Sequence, residues 1–358
     1  MILNKNIGIT DTLLFVSIII ISTFGLLLLY SATNQDIDVV FRQGTRLFFC
    51  FILMLLVSTI DINKIKFISP YIYVVCIILL IVTLFWGHDS KGAKRWILIF
   101  GFSLQVSEVL KLILPMTLAW FLSLAEDKEF DLKKLFFSFI IISLPIIFII
   151  QQPDLGTSLI ILLCGLVSIF LGGITKKHII FLSGLFLIIV PIMWKFILLP
   201  YQKQRILTMI DPSVDPLGSG YHIIQSKIAV GSGGFFGKGF LNGTQSQLEF
   251  LPERGTDFIF AVFAEEFGFF GIIILFIFYL AIILRCIHIA SKAKTYYAKI
   301  LSGSITGIFI LLIITNISMA VGLLPVVGVT LPLLSLGGSS LLAMFLSFGV
   351  MFSINRRN

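Results

Sequence analysis

Ten stretches of almost unbroken apolar residues follow one another along this chain, and they decide what it can fold into. They run over Leu13–Tyr30, Leu47–Ile60, Tyr71–Trp86, Val106–Leu124, Leu135–Ile150, Gly156–Leu171, Ile179–Leu199, Phe258–Leu284, Ile300–Leu324 and Ser339–Ile354. A helix needs about 17–25 residues to cross a bilayer, somewhat fewer when flanking side chains snorkel. Several of the runs are therefore short spans with soft ends. They are continuous rather than alternating, which excludes a membrane β-barrel. No soluble-looking block interrupts them, so residues 1–358 read as one all-α, polytopic membrane domain of about ten helices. The first run has no small-residue cleavage site behind it and is expected to be retained as a helix.

Charge supplies the orientation. Only 12% of the residues are charged, against about 25% in a soluble domain. With the N-terminus inside, Lys5, Lys64, Lys66, Lys128, Lys133, Lys134, Lys176, Lys177, Arg285, Lys292, Lys294, Lys299, Arg356 and Arg357 fall on the cytoplasmic side. The short outer connections then hold only Arg42, Arg46, Lys91, Lys94 and Arg95. Short loops rich in Lys and Arg stay inside, so both termini are expected in the cytoplasm. The net charge of +8 thus reports topology and makes no case for nucleic acid. Cys50, Cys76, Cys164 and Cys286 lie in or beside apolar runs without metal-ligand spacing, and the four His are scattered, so no metal site is expected.

Residues 200–256 form the one sizeable polar piece, a long extracytoplasmic loop between helices seven and eight. Its run Gly231-Ser232-Gly233-Gly234-Phe235-Phe236-Gly237-Lys238-Gly239 fails the Walker A pattern at Ser232 and Gly239. Simple turns, or backbone brought close to a helix, a partner or a sugar phosphate, are the readings left open.

Ionisable side chains within or at the ends of spans are expensive and mark function by default. Glu108 and Lys111 are three apart on one helix face and can pair, for structure or for chemistry. Asp154 stands at a helix start, where a carboxylate is an ordinary N-cap. Lys94 and Arg95, with Lys91 and Trp96, form an outer cationic cluster: an interfacial anchor, or a patch for a lipid phosphate. Asp257 lies where the long loop enters helix eight, after Glu253 and Arg254. It is either a cap or a base placed at the outer membrane edge to take a proton from a hydroxyl.

These residues carry a resemblance. Lys91-Gly92-Ala93-Lys94-Arg95-Trp96, Ser107-Glu108 with Lys111, and Gln152-Pro153-Asp154-Leu155-Gly156-Thr157 come in order. Gly218-Ser219-Gly220-Tyr221, Gln225-Ser226, the glycine run, Asn316, Met319, Gly322, Leu324-Pro325, Leu331-Pro332 and Gly337-Gly338-Ser339-Ser340 follow. Together they resemble the SEDS family (shape, elongation, division and sporulation proteins) from the first helix to the last. Residues Leu241 to Arg254 are similar to its RodA, or elongation, branch rather than the FtsW branch. Two positions depart from the family pattern: Gly255 stands where His is common, and Val106 where Pro is.

The resemblance implies a glycosyltransferase of the cytoplasmic (inner) membrane that polymerises lipid II into peptidoglycan on the outer membrane face during elongation. The acceptor 4-hydroxyl attacks the donor's anomeric carbon, and undecaprenyl diphosphate leaves with inversion. Asp257 is then the base. Lys94, Arg95 and Lys111 offset the leaving diphosphate, with room for a divalent cation (magnesium or manganese) to share that task. Trp96 packs on a sugar or the lipid boundary, Glu108 orients Lys111, and Asp154, Gln225, Lys238, Glu253 and Arg254 are further substrate contacts. The implied partners are lipid II, membrane lipids and a class B penicillin-binding protein docked near helices eight and nine. A lipid II flippase, or a scaffold for the transpeptidase, is the competing expectation.

Overall fold

The computed structural model describes residues 9–90, 93–99, 102–124, 130–215, 218–248, 250–251 and 253–356. Lys5, Lys91, Lys128 and Arg357 of the charge pattern, and Gly92, Glu249 and Pro252 of the quoted segments, lie outside these residues. The chain begins with α1 (Ile9–Ala32), α2 (Ile37–Thr59) and α3 (Ile62–Trp86). A small sheet follows, β1 (His88–Ser90), β2 (Ala93–Ile99) and β3 (Phe102–Leu104). Next come α4 (Val106–Ser123), α5 (Leu132–Gln151), α6 (Leu155–Leu171) and α7 (Lys176–Ile192), which runs on as a π-helical stretch through Ile197. Residues of the long loop form α8 (Pro200–Ile210), α9 (Ser219–Ser232) and α10 (Thr244–Gln247). The last spans are α11 (Ile259–Lys292), α12 (Tyr296–Ala320) and α13 (Gly338–Asn355).

Nine of the described helices are long and apolar enough to cross a membrane, and α6, at 17 residues, is a shorter apolar tenth. The expected all-α polytopic architecture is therefore present. Helix ends differ where caps, not hydropathy, set them. Helix α2 starts ten residues before its apolar run because Asp36 Oδ1 accepts the Asp38 and Val39 N–H groups at 2.9 and 3.2 Å. Such a cap stabilises the first turn whatever the polarity behind it. At the other extreme, α12 stops at Ala320 rather than Leu324, and Gly322, at φ +73°, turns the chain away.

Helices α4, α12 and α13 are mostly buried, whereas α7 buries none of its residues. Small residues let the inner helices approach: a Cβ on Gly349 of α13 would fall 2.8 Å from the Met54 carbonyl of α2. This is how helices associate where lipid removes the hydrophobic driving force. The sheet β1-β2-β3 is antiparallel throughout and was not foreseen. Its strands are short, and the Lys94-Arg95-Trp96 cluster expected in an outer interfacial loop lies on the middle strand, β2.

Candidate active site

Asp257 lies in a turn over residues 253–258, and the N-cap position of α11 falls one residue later, on Phe258. The turn is tied down through its main chain. Leu336 N–H donates to the Gly255 carbonyl (2.8 Å), and Ser335 Oγ donates to the Thr256 carbonyl (2.7 Å). Buried Asn316 of α12 donates both amide hydrogens, one to the Asp257 carbonyl (2.9 Å) and one to the Val329 carbonyl (2.6 Å). The half-buried carboxyl faces Gly328, where a Cβ would stand 3.7 Å from Asp257 Oδ2. The 321–337 connection thus wraps the acid and fixes where it sits.

Three groups converge on that connection. The start of α6 touches it: a Cβ on Gly156 would fall 2.2 Å from the Val327 carbonyl. Two residues earlier, Asp154 Oδ1 accepts the Thr157 N–H at 3.1 Å, the cap anticipated for it. Its Oδ2 lies 3.6 Å from Arg95 Nη1 and 3.5 Å from Gln105 Nε2. Arg95 also donates to the Gln152 and Pro153 carbonyls at 2.9 and 2.8 Å, so it ties the sheet to the α5–α6 turn. Lys94 is exposed on β2, and Trp96 is half-buried beside it.

The second group was missed by sequence reasoning. Arg205 of α8 donates to the Val326 carbonyl at 3.2 Å, and a Cβ on Gly322 would lie 2.8 Å from Lys227 Nζ of α9. Both cations are exposed, and both stand over the connection that cradles Asp257. They sit in a segment that reads as loop; the amphipathic spacing of α8 was the available signal. Gln225 lies half-buried on α9, two residues from Lys227.

The third group is the Glu108–Lys111 pair, 2.6 Å apart and nearly buried. It lines a cavity of about 20 Å³ with Thr330, Leu331, Pro332, Ser335 and Ser340, room for roughly one water. The pair therefore supports the connection from beneath, and Ser335 from that cavity holds the Thr256 carbonyl.

The glycine run docks onto α11. Gly268, at φ +65° and ψ −166°, breaks the helix, and the freed groups are taken up by the loop. Lys238 and Gly239 N–H donate to the Glu265 and Glu266 carbonyls at 3.0 and 2.9 Å. In return the Phe269 and Phe270 N–H groups donate to the Gly234 and Phe235 carbonyls at 3.0 and 2.9 Å. Non-helical backbone in a membrane protein persists where protein satisfies it. Of the openings left to the glycines, close approach to a helix is the one used: a Cβ on Gly233 would meet the Ala264 carbonyl at 2.0 Å, and one on Gly237 the Glu266 carbonyl at 2.1 Å.

Side chains lock the same joint. Fully buried Glu265 accepts from Lys238 Nζ (2.7 Å), Thr244 Oγ1 (3.0 Å) and the Gln245 N–H (3.0 Å). Lys238 is therefore committed to Glu265. Arg254 donates to the Ser246 carbonyl, and Glu253, at φ +53°, accepts from Thr256 Oγ1 at 3.0 Å. These two shape the turn before Asp257. Among the described residues, no group of three or more His, Cys, Asp or Glu stands together as a metal site.

Residues 6–358 match the family model described as cell cycle protein, FtsW/RodA/SpoVE. The chain is 41% identical to the peptidoglycan glycosyltransferase MrdB of Escherichia coli over 345 residues, 96% of this chain and 93% of that protein. It is 31% identical to the peptidoglycan glycosyltransferase RodA of Treponema pallidum, over 97% of this chain and 98% of that one. A chain of a solved peptidoglycan synthase complex, described as coordinating polymerization and crosslinking, superposes with a TM-score of 0.83 at 29% identity. That match covers 96% of this chain and 97% of the other. Matched from end to end by sequence and by fold, the chain belongs to the FtsW/RodA/SpoVE, or SEDS, family.

Proposed function

We propose that this protein is a peptidoglycan glycosyltransferase of the RodA branch that polymerises lipid II at the outer face of the cytoplasmic membrane, with Asp257 as general base. The observation that carries the reading is the Asp257 turn, whose carbonyls at residues 255, 256 and 257 are each held by a separate donor. A carboxylate held in this way is pre-organised and meets its substrate without reorganisation. In the reaction Asp257 takes the proton of the acceptor 4-hydroxyl as the oxygen bonds to the donor's anomeric carbon. The bond from that carbon to the diphosphate breaks on the opposite face, giving inversion. A positioned base contributes about 10²–10⁴-fold.

Negative charge grows on the leaving diphosphate, and fixed cations lower the barrier there. Arg205 and Lys227 join Lys94 and Arg95 in that role, while Lys111 acts from beneath through the 330–335 segment. A divalent cation on the diphosphate would be held chiefly by phosphate oxygens, and no step here depends on one. Trp96, Gln225 and Asp154 border the same face. The polyprenyl tails remain in the bilayer, which is why a sugar polymerase takes the form of a helix bundle.

The positive-inside pattern supports cytoplasmic termini, with the sheet and α8–α10 outside. A class B penicillin-binding protein is the proposed partner, its membrane helix lying near α11 and α12. Purified protein in detergent, given lipid II, tests the reading: polymer formation needs no translocation. Absence of polymer from folded protein, with or without the transpeptidase, would return the case to a flippase or a scaffold.

A further inference from the structure

Helix α7 is a span with no protein-buried face, yet it does not stand clear of the bundle. An open groove of about 950 Å³ separates it from α6, α11 and α12, a volume at the upper end of ligand pockets. Its walls include Phe170, Leu182, Phe186, Ile287 and Leu311. It lies at the end of the bundle where α6 finishes, α7 starts, α11 finishes and α12 starts.

Among the described residues, basic side chains dominate the groove's mouth. On α7 the lining positions are 179, 182, 183, 186 and 187, and on α12 they are 303, 306, 307, 310 and 311. Helical periodicity puts Lys176 and Lys299 on those faces, one turn beyond the last lining residue. Both are exposed. Both also stand in the first turn of a helix, where the macrodipole is positive and disfavours a cation. Tyr296 donates to the Gly172 carbonyl at 2.9 Å, so the start of α12 is held against the α6–α7 turn and the two helix starts are neighbours. No Asp or Glu occurs in residues 172–179 or 285–299. Asp131 of the adjoining turn is engaged in capping α5 through the Lys134 N–H, at 2.8 Å. Two lysines and two helix starts, set together at the end of an apolar groove, are complementary to an anion carried on acyl chains.

We infer that this groove binds one anionic phospholipid, its acyl chains against α6, α7, α11 and α12 and its phosphate at Lys176 and Lys299. On the orientation proposed above this is a lipid of the inner leaflet, distinct from the substrate side at Asp257. The binding itself does not depend on that orientation or on the enzymatic reading. The lipid supplies the packing that α7 does not obtain from protein.

The test is native mass spectrometry of the delipidated full chain, titrated with phosphatidylglycerol or phosphatidylcholine. A lysine beside a net anionic headgroup contributes about fivefold, and the choline cation offsets the phosphate of phosphatidylcholine, so phosphatidylglycerol is expected to bind about 25-fold more tightly. The double variant Lys176→Gln with Lys299→Gln reduces that preference to near unity, and the Arg pair at the same positions keeps it. Ser183→Trp, which sets an indole against the groove wall and leaves both lysines, weakens retention of both lipids. Equal retention of the two lipids by the wild type overturns the headgroup site. Unchanged phosphatidylglycerol binding in Ser183→Trp overturns the groove, leaving only attraction to a basic surface.

Discussion

At Asp257 the side chain is the reagent, but the main chain is what the fold holds. Asn316 is the clearest case, because both its amide hydrogens are spent on carbonyls of the site. Asn316→Leu leaves the Asp257 and Val329 carbonyls without that donor, at about 1–3 kcal/mol each. The expected outcome is at least tenfold slower polymerisation by protein that still inserts, measured by initial rates on lipid II; an unchanged rate would show that the turn holds itself. Arg205→Gln and Lys227→Gln test the cations. Each is expected to lower kcat/KM by about tenfold while Lys replacing Arg205, or Arg replacing Lys227, restores most of it. Equal loss in the conservative variants would point to packing instead of charge. Neither cation was legible beforehand, because a residue's distance from Asp257 across α8, α9 and the 321–337 connection is a property of the fold. Asp257 itself was legible, since an acid between a polar loop and an apolar span is conspicuous in any chain.

At the scale of elements, the joint between the glycine loop and α11 decides how the outer layer is built. Gly268 lies nine residues into α11, about 14 Å along it, so the loop re-enters well past the helix start. Its conformation belongs to glycine, and a Cβ there would fall 2.2 Å from the Gly237 nitrogen. Gly268→Ala is expected to release the loop over residues 233–247, seen as faster proteolysis within it and a loss of activity. Gly231→Ala is the matched control: nothing lies within 4 Å of a Cβ there, and the residue is in α9. It should be neutral or slightly stabilising. Equal sensitivity of the two variants would mean that the docking does not organise the site. The spans were readable because lipid imposes length and continuous hydropathy on a helix. The loop helices and the sheet were not, because outside the bilayer short polar segments obey caps and long-range pairing. The glycines announced a close approach, and only the fold could say that the surface approached was the broken backbone of α11.

For the molecule as a whole, the buried helices α4, α12 and α13 form a rigid centre, and the α12–α13 connection carries that rigidity to the outer edge. Lys111 and Glu108 on α4 and Asn316 on α12 meet that connection, and its own Ser335 holds the Asp257 turn. The arrangement predicts that activity follows the integrity of one small region, while the spans around it tolerate apolar exchange. The central claim is that one carboxylate in this region removes the acceptor's proton. The direct measurement is the polymerisation rate on lipid II of purified wild type and Asp257→Asn, both shown to be folded by the same thermal transition. A fall of at least about 10² is predicted, the contribution of a positioned base; a rate for Asp257→Asn within tenfold of wild type would contradict the account.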